Sequence, residues 1–293
     1  MEDEYYFYDK DLVPGSFGLR NNGVICWCNS LLQGLISCPS FNRVLMESKA
    51  KANPLASELI KMIETSIFDN EDVALEEASS KIHQAFMRQL KSNGVFTNFG
   101  NSQECVDEAL NLLVESIGLS ELERKFTVIY ECVTYCKECK NKKINTRDMN
   151  IKVELFTEAK LENSEDFCKW ITAHPSKLSY HMCEKCENVN QQYRIEYLKR
   201  VSEIIVIIFN KFQQKDKRWF PETLTFPTEG GKLNYKVVAS IDHFGNMHGG
   251  HYVCNVLRAD GYKYINDSSV CAGSIQPGEN TFMLFYHLDN KSN

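Results

Sequence analysis

The chain has 293 residues, of which 43% are apolar and 25% are charged. These proportions are ordinary for a folded globular protein and exclude a mostly disordered chain. Lysine and arginine number 33 against 39 aspartate and glutamate residues, so the formal net charge is −6. A protein that binds nucleic acid through its phosphates usually has a basic excess, so we expect no nucleic-acid partner.

The sequence also bears on the compartment. Its longest uninterrupted apolar run, residues 204–209, is too short to cross a bilayer, so we expect no membrane partner. Residues 1–5 lack the basic and apolar regions of a secretory signal. We therefore expect an intracellular protein, cytoplasmic or nuclear. In that setting, the twelve cysteines favour metal binding and catalysis over disulfides.

Taken in chain order, the patterns change from helical to extended. Residues 1–17 form an acidic and aromatic lead-in. From Gly18 to about Leu119, apolar residues recur at helical spacing, which predicts several helices. The last of these helices is expected to begin at Asn101 or Ser102, two suitable N-cap residues. After Phe126, the sequence predicts short strands over residues 126–133, 144–155, 193–201, 203–209, 235–241, 251–257, 262–265 and 282–287. Helices followed by strands indicate an α+β fold, and the run 203–209 is apolar enough to be buried on both faces.

Two pairs of cysteines share the C-x-x-C spacing, Cys136 with Cys139 and Cys183 with Cys186. Four thiolates in two such knuckles suit one tetrahedral zinc ion, and four protein ligands leave no open position for catalysis. The 43 residues between the pairs fit this interpretation if each knuckle caps a β-hairpin. The alternative is four unrelated reduced cysteines. We expect one structural zinc ion and no catalytic cofactor.

A candidate nucleophile lies near the start of the chain. A glycine-containing loop delivers Cys26 to the beginning of an apolar-periodic helix. Free N–H groups and the helix dipole at that position stabilise a thiolate. Asn21, five residues upstream, could present its amide to a developing oxyanion. The alternative is a cysteine that only packs in the core.

A candidate base lies near the other end of the chain. Gly249 and Gly250 form a flexible loop before His251, which opens a predicted strand. A hairpin from that strand through residues 262–265, which Asn266 and Asp267 follow, would bring Asn266 back beside His251. A cysteine, a histidine and a side chain that orients the histidine are what thiol acyl transfer needs. Taken alone, His251 is better interpreted as a structural histidine.

Four separated blocks together resemble the ubiquitin-specific protease family of papain-like cysteine peptidases. Residues 18–33 resemble the block G-L-x-N-x-G-x-T-C-Y-x-N-S-x-L-Q around the nucleophile, and residues 102–107 resemble the block Q-Q-D-A-x-E. The paired knuckles resemble the zinc finger of the family. Residues 250–252 and 262–270 resemble its histidine block. The blocks occur in the order of the family and cover the chain from about Gly18 to the C-terminus.

The resemblance implies a papain-like fold with a right-hand architecture, in which residues 18–293 form the catalytic domain. The thumb would span about 18–120, the zinc-bearing fingers about 126–202 and the palm about 203–288. Cys26 would be the nucleophile and His251 the general base. The remaining catalytic positions would be Asn266 as third triad member, Asp267 as its support and Asn21 as oxyanion donor. The substrate-binding positions would be Gln103, Glu104, Gly249, Gly250 and Tyr252.

The implied function is a thiol-dependent deubiquitinase that cleaves after the C-terminal glycine of ubiquitin. We expect ubiquitin or ubiquitinated proteins as partners and a monomeric enzyme. The sequence departs from the family pattern at Ile25, Trp27, Cys28, Ser102, Glu104 and Asp107, but none of these changes removes a triad candidate. Three alternatives remain: a protease for another ubiquitin-like modifier, a non-catalytic ubiquitin-binding scaffold, and a zinc-dependent nucleic-acid module.

Overall fold

The computed structural model describes residues 12–68, 72–96, 103–149, 152–155, 161, 163–209, 219–228, 231–246 and 249–289. The first part of the chain is helical. Its helices are α1 (Cys26–Leu35), α2 (Pro39–Glu47), α3 (Pro54–Phe68), α4 (Asp72–Ser92), α5 (Val106–Ile117) and α6 (Ser120–Phe126), with one 3-10 turn at Lys49–Lys51. None of the described helices is long and apolar enough to cross a membrane.

The second part of the chain is mostly extended. Its elements are β1 (Val128–Cys136), β2 (Lys142–Met149), β3 (Val153–Leu155), α7 (Ser164–Thr172), β4 (Ala173–Met182), β5 (Val189–Arg200), β6 (Ile204–Phe209), β7 (Thr223–Thr228), β8 (Gly231–Asn246), β9 (Gly249–Arg258), β10 (Gly261–Asn266), β11 (Ser269–Ala272) and β12 (Thr281–Leu288). The expected α+β class is therefore confirmed.

The strands form two sheets. A four-stranded antiparallel sheet has the order β2-β1-β5-β4. The larger sheet has the order β11-β10-β9-β8-β12-β6-β3, with β7 pairing to β8. All pairs in the larger sheet are antiparallel except β3 with β6.

Strand β6 separates two hydrophobic cores, and all six of its residues are buried. Ile204, Val206 and Ile208 belong to the core shared with the helices, whereas the alternate residues face a second core that includes Phe167 on α7. Side chains alternate between the two faces of a strand, so a strand covered on both faces must be apolar throughout. The expectation for this run is confirmed.

Helix α1 lies directly against the large sheet, and all ten of its residues are buried. A Cβ at Gly34 would lie 2.8 Å from the ring of Phe285 on β12, so only glycine permits this close approach. The same helix also contacts β9 and β10 of this sheet.

The expected start of α5 is wrong. The helix begins at Val106, with Cys105 at the N-cap position and no side-chain cap there. Asn101 and Ser102 lie outside the described residues. Cys105 is extended, with φ −76° and ψ 125°, so the helix starts only at Val106. Residues 103–105 are not helical, and the Gln103 side chain accepts a hydrogen bond from the backbone of Gly250 on the large sheet.

Candidate functional site

Cys26 is the first residue of α1, as the sequence predicts. The loop that delivers it is shaped by Asn21, whose Oδ1 accepts hydrogen bonds from the backbone N–H groups of Gly23 at 3.2 Å and Ile25 at 3.3 Å. The helical hydrogen bonds begin at Ile25, whose carbonyl accepts from the N–H groups of Cys28 and Asn29. The thiol therefore lies at the positive end of the helix dipole.

The environment of the Cys26 thiol has opposing effects on its pKa. Burial raises its pKa above the ordinary value for cysteine, and the nearby Asp267 carboxylate raises it further. Hydrogen bonds from the backbone N–H groups of Tyr252, Trp27 and Cys26 lower the pKa. Tyr252 directly follows His251 on β9, so this contact places the sulfur beside the start of that strand. The net result is a thiol that needs a base to become a thiolate at neutral pH.

His251 and Asn266 meet across the β9–β10 hairpin, whose register pairs Ile265 with Cys254. The distance between His251 Nε2 and Asn266 Oδ1 is 2.7 Å. An amide oxygen only accepts hydrogen bonds, so Nε2 must carry the proton, and Nδ1 of the neutral ring is left as the proton acceptor. The hairpin expected from the sequence therefore brings these two residues together as anticipated.

Asp267 connects the hairpin to the helical part of the chain. Its carboxylate accepts hydrogen bonds from Asn29 Nδ2 at 2.7 Å and Asn21 Nδ2 at 3.0 Å. His251 Nε2 lies 3.9 Å from its Oδ2 atom. Its backbone has φ +50°, a left-handed conformation that aspartate tolerates better than most residues. The residue binds the loop before α1 to the turn after β10.

The backbones at this junction are also very close. The N–H of Leu19 donates to the carbonyl of Asp267 at 2.9 Å. A Cβ at Gly18 would lie 2.5 Å from the carbonyl oxygen of Ser268, so a side chain at position 18 would push the two segments apart. The glycine in the cysteine block is thus required by the approach of the β10–β11 turn.

The expected oxyanion donor is already engaged in this structure. One N–H of the Asn21 amide points to Asp267, which leaves the second N–H for another acceptor. Asn29 lies in the same block of sequence, but the sequence reasoning gave it no role. Its position one helical turn after Cys26 was the available signal, since residues three apart share a helix face.

Cys26 and His251 lie on facing elements but are not directly bonded. Within the described residues, no hydrogen bond joins the Cys26 sulfur to the His251 ring. The imidazole is bonded to Asn266 at 2.7 Å, and Gln103 Nε2 lies 3.7 Å from the sulfur. Catalytic hydrogen bonds often form fully only when substrate is bound.

The residues expected to bind substrate surround this gap. Gln103 Oε1 accepts a 2.7 Å hydrogen bond from the backbone N–H of Gly250. Gly249 has φ +156°, and a Cβ on it would lie 3.7 Å from the same oxygen. Tyr252 is buried, and its ring packs 4.4 Å from the ring of His243. Glu104 is half-buried just before α5.

Two departures from the family pattern point away from this site. Trp27 is buried, and its ring lies 5.0 Å from that of Phe96. Cys28 is also buried, with its sulfur 3.9 Å from that of Met87 on α4. Trp27 therefore packs against the segment that follows α4, and Cys28 packs against α4 itself.

Four cysteines converge at the ends of two hairpins in the smaller sheet. The Sγ atoms of Cys136, Cys139, Cys183 and Cys186 all lie within 4.8 Å of one another. The sulfurs of Cys136 and Cys186 are 3.9 Å apart, and those of Cys139 and Cys183 are 3.6 Å apart. A tetrahedron with zinc–sulfur bonds of about 2.3 Å has sulfurs about 3.8 Å apart. These residues can therefore hold a metal ion, and their geometry suits zinc.

The two knuckles have the same local structure. In each, the first cysteine accepts a backbone hydrogen bond from the residue four positions later, Lys140 or Glu187. Both of these residues have left-handed backbones, with φ 58° and 57°. Asn190 Nδ2 donates to the Cys136 sulfur at 3.3 Å, the kind of outer contact that orients a metal ligand. Each knuckle caps a hairpin, as expected from the sequence.

A family model described as ubiquitin carboxyl-terminal hydrolase matches residues 17–286. This chain belongs to that family. Family membership confirms the resemblance and the expectation of a cysteine peptidase with deubiquitinase function. It also counts against a zinc-dependent nucleic-acid module.

Two named ubiquitin carboxyl-terminal hydrolases match most of the chain, and a third matches a short part of it at higher identity. Ubiquitin carboxyl-terminal hydrolase 12 of Salmo salar is 24% identical over 313 residues, covering 87% of this chain and 81% of the relative. Ubiquitin carboxyl-terminal hydrolase 4 of Arabidopsis thaliana is 21% identical, covering 87% and 84%. Ubiquitin carboxyl-terminal hydrolase 30 of Xenopus tropicalis is 57% identical over 44 residues, covering 15% and 8%.

Solved structures share the fold. A chain of the SAGA DUB module Ubp8/Sgf11/Sus1/Sgf73 bound to monoubiquitin matches with a TM-score of 0.75 and 17% identity, covering 99% of this chain and 72% of that chain. The same module bound to ubiquitin aldehyde gives a TM-score of 0.74 and 17% identity, covering 96% and 71%. The expected ubiquitin-specific protease architecture is thereby confirmed.

Proposed function

We propose that this member of the family hydrolyses the isopeptide or peptide bond after the C-terminal glycine of ubiquitin, with Cys26 as nucleophile and His251 as general base. The observation that carries the assignment is the 2.7 Å bond between His251 Nε2 and Asn266 Oδ1, on a hairpin that faces the N-terminus of α1. This bond sets the ring tautomer that a base needs.

The chemistry follows from these positions. His251 Nδ1 takes the proton of the Cys26 thiol, and the thiolate attacks the carbonyl carbon of the terminal glycine. The oxyanion that forms is stabilised by the N–H groups at the start of α1 and by the second N–H of Asn21. His251 then gives its proton to the leaving amine. Water, activated by the same ring, hydrolyses the thioester and frees the carboxylate of the modifier.

Asn266 and Asp267 have separate parts in this scheme. Asn266 orients the imidazole, because it is the acceptor bonded to Nε2. Asp267 lies 3.9 Å from that nitrogen and stabilises the imidazolium that forms during the reaction. Its hydrogen bonds to Asn21 and Asn29 also hold the loop before Cys26 in place.

Ubiquitin fits the proposed cleft chemically. Its tail ends in Arg-Gly-Gly, and a loop containing Gly249 and Gly250 suits a tail without side chains at its last two positions. The carboxylate of Glu104 suits the arginine of that tail. The solved structures with the same fold include a module bound to monoubiquitin, which supports the same partner here.

We further propose that the four-cysteine cluster binds one structural zinc ion, that the enzyme is a monomer, and that it works in the cytoplasm or nucleus. The sulfur distances support the metal. All twelve cysteines lie in the described part of the chain and carry free thiols, which suits a reducing compartment.

The proposal is tested by covalent capture. Zinc-loaded protein is mixed with ubiquitin that carries an electrophile at its C-terminus, and in parallel with matching probes built on other ubiquitin-like modifiers. Wild type is compared with Cys26→Ala and with Cys271→Ala, which removes an exposed cysteine on β11. The adduct is located by peptide mass spectrometry.

We expect a ubiquitin adduct on Cys26 in wild type and Cys271→Ala, and none in Cys26→Ala. An adduct with another modifier only would replace the substrate and keep the chemistry. If folded protein gave no adduct with any probe, the non-catalytic scaffold would be the better interpretation.

A further inference from the structure

The side chain of Gln103 joins the proposed nucleophile to the loop before His251. Its Nε2 atom lies 3.7 Å from the Cys26 sulfur, and its Oε1 atom accepts the 2.7 Å hydrogen bond from Gly250. These contacts connect residue pairs that are 77 and 147 positions apart along the chain. The family resemblance implies that Gln103 binds substrate, whereas these two contacts are with other residues of the protein.

The orientation of the amide is fixed by chemistry. The two ends of a glutamine amide look alike, but a backbone N–H can only donate. The end of Gln103 that faces Gly250 must therefore be oxygen, and the end that faces the sulfur must be the NH₂ group. A thiolate is an acceptor, so this hydrogen bond is stronger to the thiolate than to the thiol.

We propose that Gln103 is a catalytic residue, whose Nε2 donates a hydrogen bond to the Cys26 thiolate and stabilises it before substrate arrives. The proposal rests on Cys26 being the nucleophile of the proposed function. This role differs from binding the tail of the substrate, because Gln103 acts on the reacting sulfur of Cys26. Gly250 holds the amide in the donating orientation, so the loop before His251 and the nucleophile are coupled.

The sulfur needs such a donor. Burial and the Asp267 carboxylate both disfavour the thiolate, and the other donors at the sulfur are backbone N–H groups. Tyr252 on β9 is a further titratable group that interacts with the sulfur, and Cys105, just before α5, interacts with Tyr252. Substituting Gln103 leaves each of them in place.

The test measures the thiolate directly, without ubiquitin. Zinc-loaded full-length protein is alkylated with iodoacetamide between pH 5 and pH 10, and the rate at Cys26 is followed by peptide mass spectrometry. Gln103→Met keeps the length of the side chain and removes the donor, and Gln103→Leu is a second variant. Gln84→Ala, at an exposed position on α4, is the matched control. Thermal melting confirms that each variant is folded.

We expect the alkylation midpoint to move to higher pH in both Gln103 variants, with the rate at pH 7 reduced roughly 3- to 10-fold, the factor for losing one net hydrogen bond. On a fluorogenic ubiquitin amide, kcat should fall by a similar factor. Gln84→Ala should match wild type in both assays.

An unchanged midpoint together with a raised KM would overturn the proposal and leave Gln103 as a tail-binding residue. The alkylation needs no modifier, so the two proposals fail separately. If wild type ignored every ubiquitin probe while its midpoint still responded to Gln103, the substrate would be wrong and the contact right.

Discussion

The carboxylate of Asp267 should contribute strongly to stability, and Asp267→Asn tests this. Only 15% of the side chain is exposed, and it accepts hydrogen bonds from Asn29 at 2.7 Å and Asn21 at 3.0 Å. Asparagine tolerates the same left-handed backbone, so the change leaves the chain conformation alone. It replaces one acceptor oxygen by an NH₂ group, which then faces an amide donor.

The expected cost follows from these contacts. One charge-assisted hydrogen bond becomes an ordinary one, and the other is replaced by two donors that face each other. Together these changes should lower the free energy of unfolding by about 2 to 4 kcal/mol. For 293 residues with an unfolding entropy of about 2.1 cal/mol/K each, the melting temperature should fall by roughly 3 to 7 °C.

Urea unfolding of zinc-loaded protein at pH 7 measures the loss. The matched control is Asp260→Asn, since that side chain is 59% exposed and its ion pair with Lys263 should be worth less than about 1 kcal/mol. Combining Asp267→Asn with Asn29→Ala gives a double-mutant cycle, in which the two losses should not add. If Asp267→Asn cost no more than the control, or if the two changes were additive, the reasoning would be refuted.

Three further predictions concern other parts of the molecule. Wild type should bind one zinc ion per chain by elemental analysis, and Cys186→Ala should lose the ion and melt at a lower temperature; a full complement of zinc in the variant would contradict the assignment. Burial lowers the pKa of both His83 and His287 to about 4. Below about pH 6.5 the unfolded chain therefore binds more protons than the folded chain. The free energy of unfolding should fall as the pH falls from 7.5 to 5, by at most about 2 kcal/mol for each histidine. His83→Leu should reduce that loss, and an unchanged pH dependence in urea melts would exclude His83 as a cause. Gly18→Ala should cost about 1 to 3 kcal/mol and reduce turnover, because its Cβ would lie 2.5 Å from the Ser268 carbonyl, whereas Gly278→Ala meets only ordinary contacts and should match wild type.

Much of the fold could be predicted because its signals are local. The helical spacing of the first part of the chain indicated its helices, and the fully apolar β6, predicted over residues 203–209, is observed at Ile204–Phe209. The segments that the sequence analysis left unassigned, α7, β4, β7 and β11, are short or polar, and their pairing depends on neighbours far along the chain. Strand β4, for example, includes a proline and several polar residues, and it is defined by its pairing with β5.

The site was predictable in its residue types but only partly in its contacts. The hairpin that joins His251 to Asn266 involves residues 15 positions apart, so the sequence could anticipate that contact. The shared acceptor at Asp267 and the bridge made by Gln103 depend on how α1, α5 and the large sheet pack together. Such contacts follow from tertiary packing, which the periodicity of a single sequence does not encode.

Asn21 and Asp267 are hydrogen-bonded although they are 246 positions apart, and this separation matters while the chain is being synthesised. A ribosome completes the helices, both knuckles and β6 well before it reaches Asn266, and chains begin to fold from the N-terminus during synthesis. The nascent polypeptide therefore carries Cys26, the proposed nucleophile, before His251 and Asn266 have been made. We therefore expect no hydrolase activity until almost the whole domain has been translated, and a chain truncated before Asn266 should be inactive.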